Sequence, residues 1–267
     1  MRCPLFPLVC LLAAAAVPGG AVAPAHGGAW LLPPGNGQAI VYSAFSDSTR
    51  AFNANGQLIP VPDYRKFELG TYIEYGLTER VTLVAAPAYD RISNPTPGQS
   101  YNGLGESEGA VRLGIFRNES SVISAQAGLR SPGASLADSA GPFLVRRAAA
   151  LDLRGMAGRS CHILNMEGFA EAQGAYRFYA NNQPGEWRID LTAGVRPYPW
   201  LLVMLQSFTS ITYGMGAYGH VSWTKLQPSM VYDLGPQWSL QLGGFITVAG
   251  INAGRELGPL GAIWYRF

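Results

Sequence analysis

Apolar residues recur at every second position through most of this chain. From Trp187 to Val195, one face is Trp187, Ile189, Leu191, Ala193 and Val195, and the other is Arg188, Asp190, Thr192 and Gly194. From Phe67 to Leu77, one face is Phe67, Leu69, Ile73, Tyr75 and Leu77, and the other carries Glu68, Tyr72 and Glu74. Val111, Leu113 and Ile115 oppose Glu106, Glu108 and Arg112; Trp238 to Val248 repeats the pattern. A period of two is the mark of a strand with one face in an apolar medium and the other in a polar one. It predicts strands near 38–46, 66–77, 81–91, 105–116, 121–130, 148–158, 163–177, 186–196, 201–210, 222–232, 237–248 and 258–267. That is about twelve, each near the ~10 residues that cross a bilayer at a tilt.

The connections alternate in length. Short ones are expected at LTER, RNES, RSC, PYPW and LGPQ, and longer ones at 47–65, 92–104, 131–147, 178–185, 211–221 and 249–257. Tight turns at one end and long loops at the other characterise outer-membrane barrels, and an even strand count puts both termini on the periplasmic side. The expected fold is therefore an all-β, antiparallel transmembrane β-barrel of about twelve strands over residues 38–267. Tyr75, Tyr198, Trp200, Trp238, Tyr265 and Phe267 fall at the periplasmic strand ends, and Tyr89, Tyr176, Trp187 and Tyr213 at the outer ends. Such rings favour membrane interfaces because they are flat, apolar and carry one polar atom. The last strand ends on Ile263, Tyr265 and Phe267 at alternate positions. It closes the barrel against the first strand and resembles the C-terminal signal read by barrel-assembly machinery.

The N-terminus adds a leader. Arg2 precedes an apolar stretch from Leu5 to Val17, and Ala23-Pro24-Ala25 is an A-x-A cleavage site, so residues 1–25 read as a Sec-type signal peptide. His26 would then begin a short periplasmic segment, 26–37. After cleavage Cys161 is the one cysteine left, which rules out a disulfide framework. Only two lysines occur, Lys66 and Lys225, and the net charge of +2 gives no basic footprint for nucleic acid. The expected location is the Gram-negative outer membrane, with outer-membrane lipid and the assembly machinery as partners.

Charge is concentrated on the inward phase. The candidate lumen lining is Glu68, Glu74, Glu106, Glu108, Arg112, Arg130, Asp152, Arg154, Glu167, Glu171, Arg177, Arg188, Asp190 and Arg196, with Gln126, Gln173 and Arg266. Two readings stay open: a packed internal network that neutralises a narrow bore, and a polar channel passing a small solute. Mixed signs argue against a strongly ion-selective porin. No cofactor or metal site is expected; Cys161-His162 is adjacent in a short turn and lacks other ligands. The chain is not expected to be an enzyme. The one catalytic alternative is His220 with Ser222, two apart on one face, a pairing like that of outer-membrane phospholipases but without an Asn on that strand or in the next turn.

GAWLLPPGNGQAI, YIEYGLTERVTL and SLQLGGFITVAGINAGRELGPLGAIWYRF together resemble a family of proteobacterial outer-membrane barrels. Its members are described as transporters related to the phenol meta-degradation pathway, or as XagA-like proteins linked to an agglutinating surface glycan. The resemblance spans most of the chain after residue 25 and carries no catalytic residues. It implies uptake of small compounds, aromatic ones among them, or help in exopolysaccharide export, the latter an accessory role in a biofilm system.

Overall fold

The computed structural model describes residues 28–93, 100–133, 148–214 and 219–267. The leader expected over 1–25 and His26 lie outside these residues. The described chain consists of β-strands and connections. The strands are β1 (Gly37–Phe52), β2 (Leu58–Thr78), β3 (Val81–Ala86), β4 (Ala88–Ser93), β5 (Tyr101–Leu104), β6 (Glu108–Arg117), β7 (Ser121–Arg130), β8 (Ala150–Ile163), β9 (Met166–Tyr179), β10 (Glu186–Tyr198), β11 (Leu201–Tyr213), β12 (His220–Asp233), β13 (Trp238–Ile251), β14 (Ala253–Gly254) and β15 (Leu257–Arg266).

They occupy twelve places in one antiparallel wall. β3 and β4 are one strand interrupted at Pro87, which has no N–H to give but accepts from Thr71 N at 2.9 Å. β5 continues into β6, and β14 into β15, in the same way. Each strand pairs with its sequence neighbours, and β15 returns to β1 from Gln38↔Arg266 to Ala44↔Leu260. Gly37 and Phe267 exchange backbone hydrogen bonds of 2.7 and 2.9 Å at the closing corner. The twelve-stranded barrel read from the alternation is the fold observed.

The side-chain phases also stand. Ile189, Leu191, Leu205, Leu240, Leu242 and Ile263 are exposed on the outer wall, while Glu74, Arg112, Asp152, Glu171 and Asp190 are buried inside. Aromatic rings cluster at both rims. At the end holding the termini, Tyr198 stacks on Trp200 at 5.1 Å, and Trp238 meets Tyr265 at 4.5 Å. At the opposite, loop end, Tyr176 meets Trp187 at 4.7 Å.

Two local expectations are corrected. RSC is not a turn: β8 runs on to Ile163, and the chain reverses at Leu164 and Asn165, with φ of 51° and 65°. Two consecutive left-handed residues make the tight turn whose twist matches a hairpin. His162 is therefore a strand residue opposite Glu167. Second, 47–65 is mostly strand. β1 and β2 continue upward to a five-residue turn in which Asn53 Oδ1 accepts from Asn55 N and Gln57 N, both at 2.9 Å.

Deleting Phe267 removes both closing hydrogen bonds and the ring contact with Tyr265. It is expected to lower unfolding stability by about 1–3 kcal/mol, from the backbone groups left unpaired in lipid. Heat-modifiable migration on unboiled gels checks this; an unchanged transition temperature contradicts it.

Candidate functional site

The polar phase of the strands encloses a cavity of about 820 Å³. It runs from Ser131 and Gly133 at the loop end to Met156, Phe169, Gly28 and Trp264 near the terminal end. Seven cationic side chains and eight carboxylates line it.

One sector is a charged ladder on β5–β10. Arg130 holds Glu106 at 2.7 Å and also contacts Glu108. Arg177 binds Asp152 at 2.7 Å and lies 3.8 Å from Glu186. Arg154 reaches Asp190 at 2.7 Å and Gln173 Oε1 at 2.5 Å. Arg188 sits between Glu186 at 3.4 Å and Asp190 at 3.7 Å. Arg130 and Arg177 pair with carboxylates on neighbouring strands, Arg154 reaches past β9 to β10, and Arg188 pairs within β10, all on one face. A smaller group stands elsewhere on the wall. Lys66 bridges Glu68 at 2.6 Å and Asp90 at 3.2 Å; Tyr42 donates to Glu68 at 2.7 Å.

The remaining sector, from β11 round to β1, sets aromatic and aliphatic side chains, Met204, Phe208, Trp223, Phe245, Leu260 and Trp264, among uncharged polar ones such as Gln206, Thr212, Gln227 and Gln241. One ion pair interrupts it, Lys225–Glu256 at 2.9 Å. Cations lie over its rings, Arg188 at 4.9 Å from the Trp223 centroid and Lys225 at 4.8 Å from that of Phe245.

The terminal end of the bore is narrowed by the chain's own N-terminal segment. Residues 28–32 belong to the stretch expected as periplasmic, yet they lie inside the barrel, with Ala29, Trp30, Leu31 and Leu32 all buried. Three backbone groups of this segment are held by inward side chains. Ala29 N donates to Glu171 at 2.8 Å, Ser124 Oγ donates to Ala29 O at 2.8 Å, and Arg112 Nη1 donates to Trp30 O at 3.2 Å. Arg112 is itself fixed by Glu74 at 2.6 Å, the Tyr72 hydroxyl at 2.8 Å and Gln126 at 3.1 Å. Trp30 packs edge-on against Phe169 at 5.7 Å, in a cluster with Val122, Met156, Leu202 and Val231. Glycines on the inward phase open its path. A Cβ on Gly158 would stand 2.5 Å from the Trp30 ring, and one on Gly76 would stand 2.2 Å from Pro33 O.

Most of the sequence-predicted lining is therefore brought together: Glu68, Glu106, Glu108, Arg112, Arg130, Arg154, Glu171, Arg177, Arg188 and Asp190 face the cavity. Glu74 and Asp152 lie buried behind it. Arg196 sits at the terminal rim on Asp233 at 2.8 Å, where Glu167 is its ladder partner. Sequence reasoning missed Lys66, Asp90, Glu186, Lys225 and Glu256. Lys66 shares the phase of Glu68, and Lys225 that of Gln227; both fall inside expected strands, so applying the alternation to every residue of those strands finds them.

No family model matches the chain, and no curated protein does. Solved structures do. The COG4313 outer membrane channel from Pseudomonas putida F1 superposes with a TM-score of 0.72 at 18% identity, covering 92% of this chain and 100% of that one. The NanC porin matches with a TM-score of 0.51 at 7% identity, covering 84% and 98%. OmpT of Vibrio cholerae, in a loop-deleted form, gives 0.42 at 8% identity, covering 86% and 98%. Identities this low show the outer-membrane barrel fold and no more.

The expectation that the chain is not an enzyme is corrected accordingly. The barrel fold it shares with the channel and the porin does not decide whether a member is catalytic. The His220 strand and the turn after it carry no Asn, as expected, but Asn252, which follows β13, donates from Nδ2 to the His220 backbone carbonyl at 2.9 Å. The His220 ring itself stacks on Tyr213 at 4.7 Å.

Replacing Arg112 with Met strands the Glu74 carboxylate in the interior. The expected cost is about 3–5 kcal/mol of unfolding free energy. The double variant Arg112→Met/Glu74→Leu is expected to recover much of it. Guanidinium unfolding in lipid vesicles measures both; a single variant as stable as the parent contradicts the anchor role.

Proposed function

We propose that this protein is an outer-membrane channel for small solutes that are polar or weakly hydrophobic. The observation that carries the reading is the bore: a cavity of about 820 Å³ with a charged ladder on one side and aromatic and aliphatic side chains on the other. Near-equal numbers of cations and carboxylates suit neutral, zwitterionic or amphipathic solutes better than ions of one sign. The match to a structure described as an outer membrane channel and to a porin supports the same reading. On this account a leader exports the chain and is removed. The barrel-assembly machinery reads Ile263, Tyr265 and Phe267, and both termini face the periplasm.

Residues 29–32 set the passage at the periplasmic end. Each of the three large apolar side chains, fully buried, contributes about 1.5–3 kcal/mol, so the segment is held firmly. A second reading follows from the same fact. With the segment fixed, the barrel is a closed accessory of a surface-glycan system.

Liposome swelling in isotonic solutions of small sugars and amino acids separates the two. The refolded parent is expected to admit them slowly. Gly158→Leu, which drives a side chain into the Trp30 position, and Trp30→Ala are expected to raise the rate several-fold. Arg154→Glu and Arg188→Glu are expected to shift preference towards cationic amino acids. No swelling in the parent or in either segment variant, with the barrels shown folded, favours the closed reading.

A further inference from the structure

One arginine of the charged ladder is not held as the others are. Arg130 and Arg177 each direct Nε to a carboxylate at 2.7 Å, and Arg154 directs its Nε to Asp152 at 3.4 Å. Arg188 Nε has no hydrogen-bond partner among the described residues. The other contacts of this guanidinium are long, Glu186 at 3.4 Å and Asp190 at 3.7 Å. Glu186 explains the loose hold. Its two oxygens already accept from the Ser210 hydroxyl at 2.6 Å and the Tyr179 hydroxyl at 2.7 Å, so it makes little demand on Arg188.

A second atom beside it is in the same condition with the opposite polarity. Asp190 gives Oδ2 to Arg154 at 2.7 Å, but its Oδ1 accepts no hydrogen bond among the described residues. Arg188 and Asp190 are alternate residues of β10, so both point into the bore. Folded proteins rarely leave a buried donor or acceptor without a partner, and each such group calls for water, an ion or a ligand to complete it. Here one donor and one acceptor stand side by side. Aromatic surface adjoins them. The register sets Arg188 opposite Ser210 and then Trp223, and Asp190 opposite Phe208 and then Lys225. The Arg188 guanidinium lies over the Trp223 ring at 4.9 Å. Lys225 is already committed to Glu256 at 2.9 Å.

Charge decides what fits. A lone anion at Arg188 meets the carboxylates of Glu186 and Asp190, and a lone cation at Asp190 meets Arg154 and Arg188. A group that carries an ammonium and a carboxylate on one carbon satisfies both atoms and adds no net charge to the ladder. We propose that Arg188 and Asp190 form a binding site for the zwitterionic head of a free α-amino acid, with Phe208 and Trp223 receiving an apolar side chain. Arg188 donates from Nε and Nη2 to the carboxylate, the forked geometry in which arginine binds such groups best. Asp190 Oδ1 accepts from the ammonium. Both protein atoms are shielded by their neighbours, so the guanidinium swings along the Trp223 face as the head enters. This rests on the reading of the bore as a passage for solutes, and goes beyond it by naming a solute class and the two residues that select it.

The test is calorimetry on the refolded full-length barrel in detergent, with heat-modifiable migration as the check on folding. The probes are L-phenylalanine, phenylpropionate, which lacks the ammonium, and phenethylamine, which lacks the carboxylate. Phenylalanine is expected to bind, and each analogue to bind at least about tenfold more weakly, as the loss of a charge-assisted hydrogen bond dictates. Asp190→Asn is expected to weaken phenylalanine by a similar factor and leave phenylpropionate no weaker. Arg188→Gln is expected to weaken phenylalanine and leave phenethylamine no weaker. Three probes that bind the parent alike, or none that binds it, overturn the site, as do variants that weaken all three together. Liposome swelling with a small sugar keeps the two readings apart. If the sugar passes and phenylalanine does not bind, the site is wrong and the channel reading stands. If phenylalanine binds as expected and no solute passes, the site stands and the channel reading fails.

Discussion

Every backbone N–H and C=O in a membrane-spanning strand must find its partner in a neighbouring strand, because hydrocarbon provides none. That constraint organises this molecule. It requires β15 to return to β1, and the Gly37–Phe267 pair closes the corner. It also makes every strand two-faced, since one side meets lipid and the other the bore. Where the constraint is relaxed, at Pro87, Pro228 and Pro259, the wall divides into shorter ladders. The proline at 87 is covered by β2, which bonds its carbonyl. The other two lie together on the side of the bore that carries Trp223 and Phe245.

Inside the barrel the problem is reversed. Charged side chains removed from bulk water are costly unless paired. Arg154, Arg177 and Arg188 each lie within reach of two carboxylates, so the ladder on β8–β10 is rigid and close to neutral. Arg112 does more: it neutralises Glu74 and also holds the Trp30 carbonyl. A wall residue thereby fixes the segment that narrows the bore. The same interior combines fixed, paired charge with an aromatic sector, and the proposed solute class rests on that combination.

Much of this was legible in the chain. Alternation located all twelve wall positions and put Glu74, Arg112, Asp152, Arg177 and Asp190 on the inner face. It failed where strands leave the bilayer. Around Asp47–Phe52 and Leu58–Arg65 no lipid imposes an apolar phase, so polar strand looks like loop. It failed at Arg159–Ile163 because a turn of Leu164 and Asn165 carries no glycine to mark it. The inward placement of Trp30 was hidden for a different reason. A segment without strand periodicity has no preferred face, and its site is made by residues distant in sequence. The traces were there as inward glycines at 76, 114 and 158 and inward apolar residues at 122, 156 and 169, which break the polar phase of the lumen.

The central claim is that a small, nearly charge-balanced bore crosses the barrel and is narrowed by its own N-terminal segment. Single-channel recording of the refolded protein in a planar bilayer under a salt gradient tests it most directly. The account predicts small stepwise currents that reverse close to zero voltage, because seven cations face eight carboxylates. A silent bilayer from protein shown to be folded, or currents carried by ions of a single sign, would contradict it.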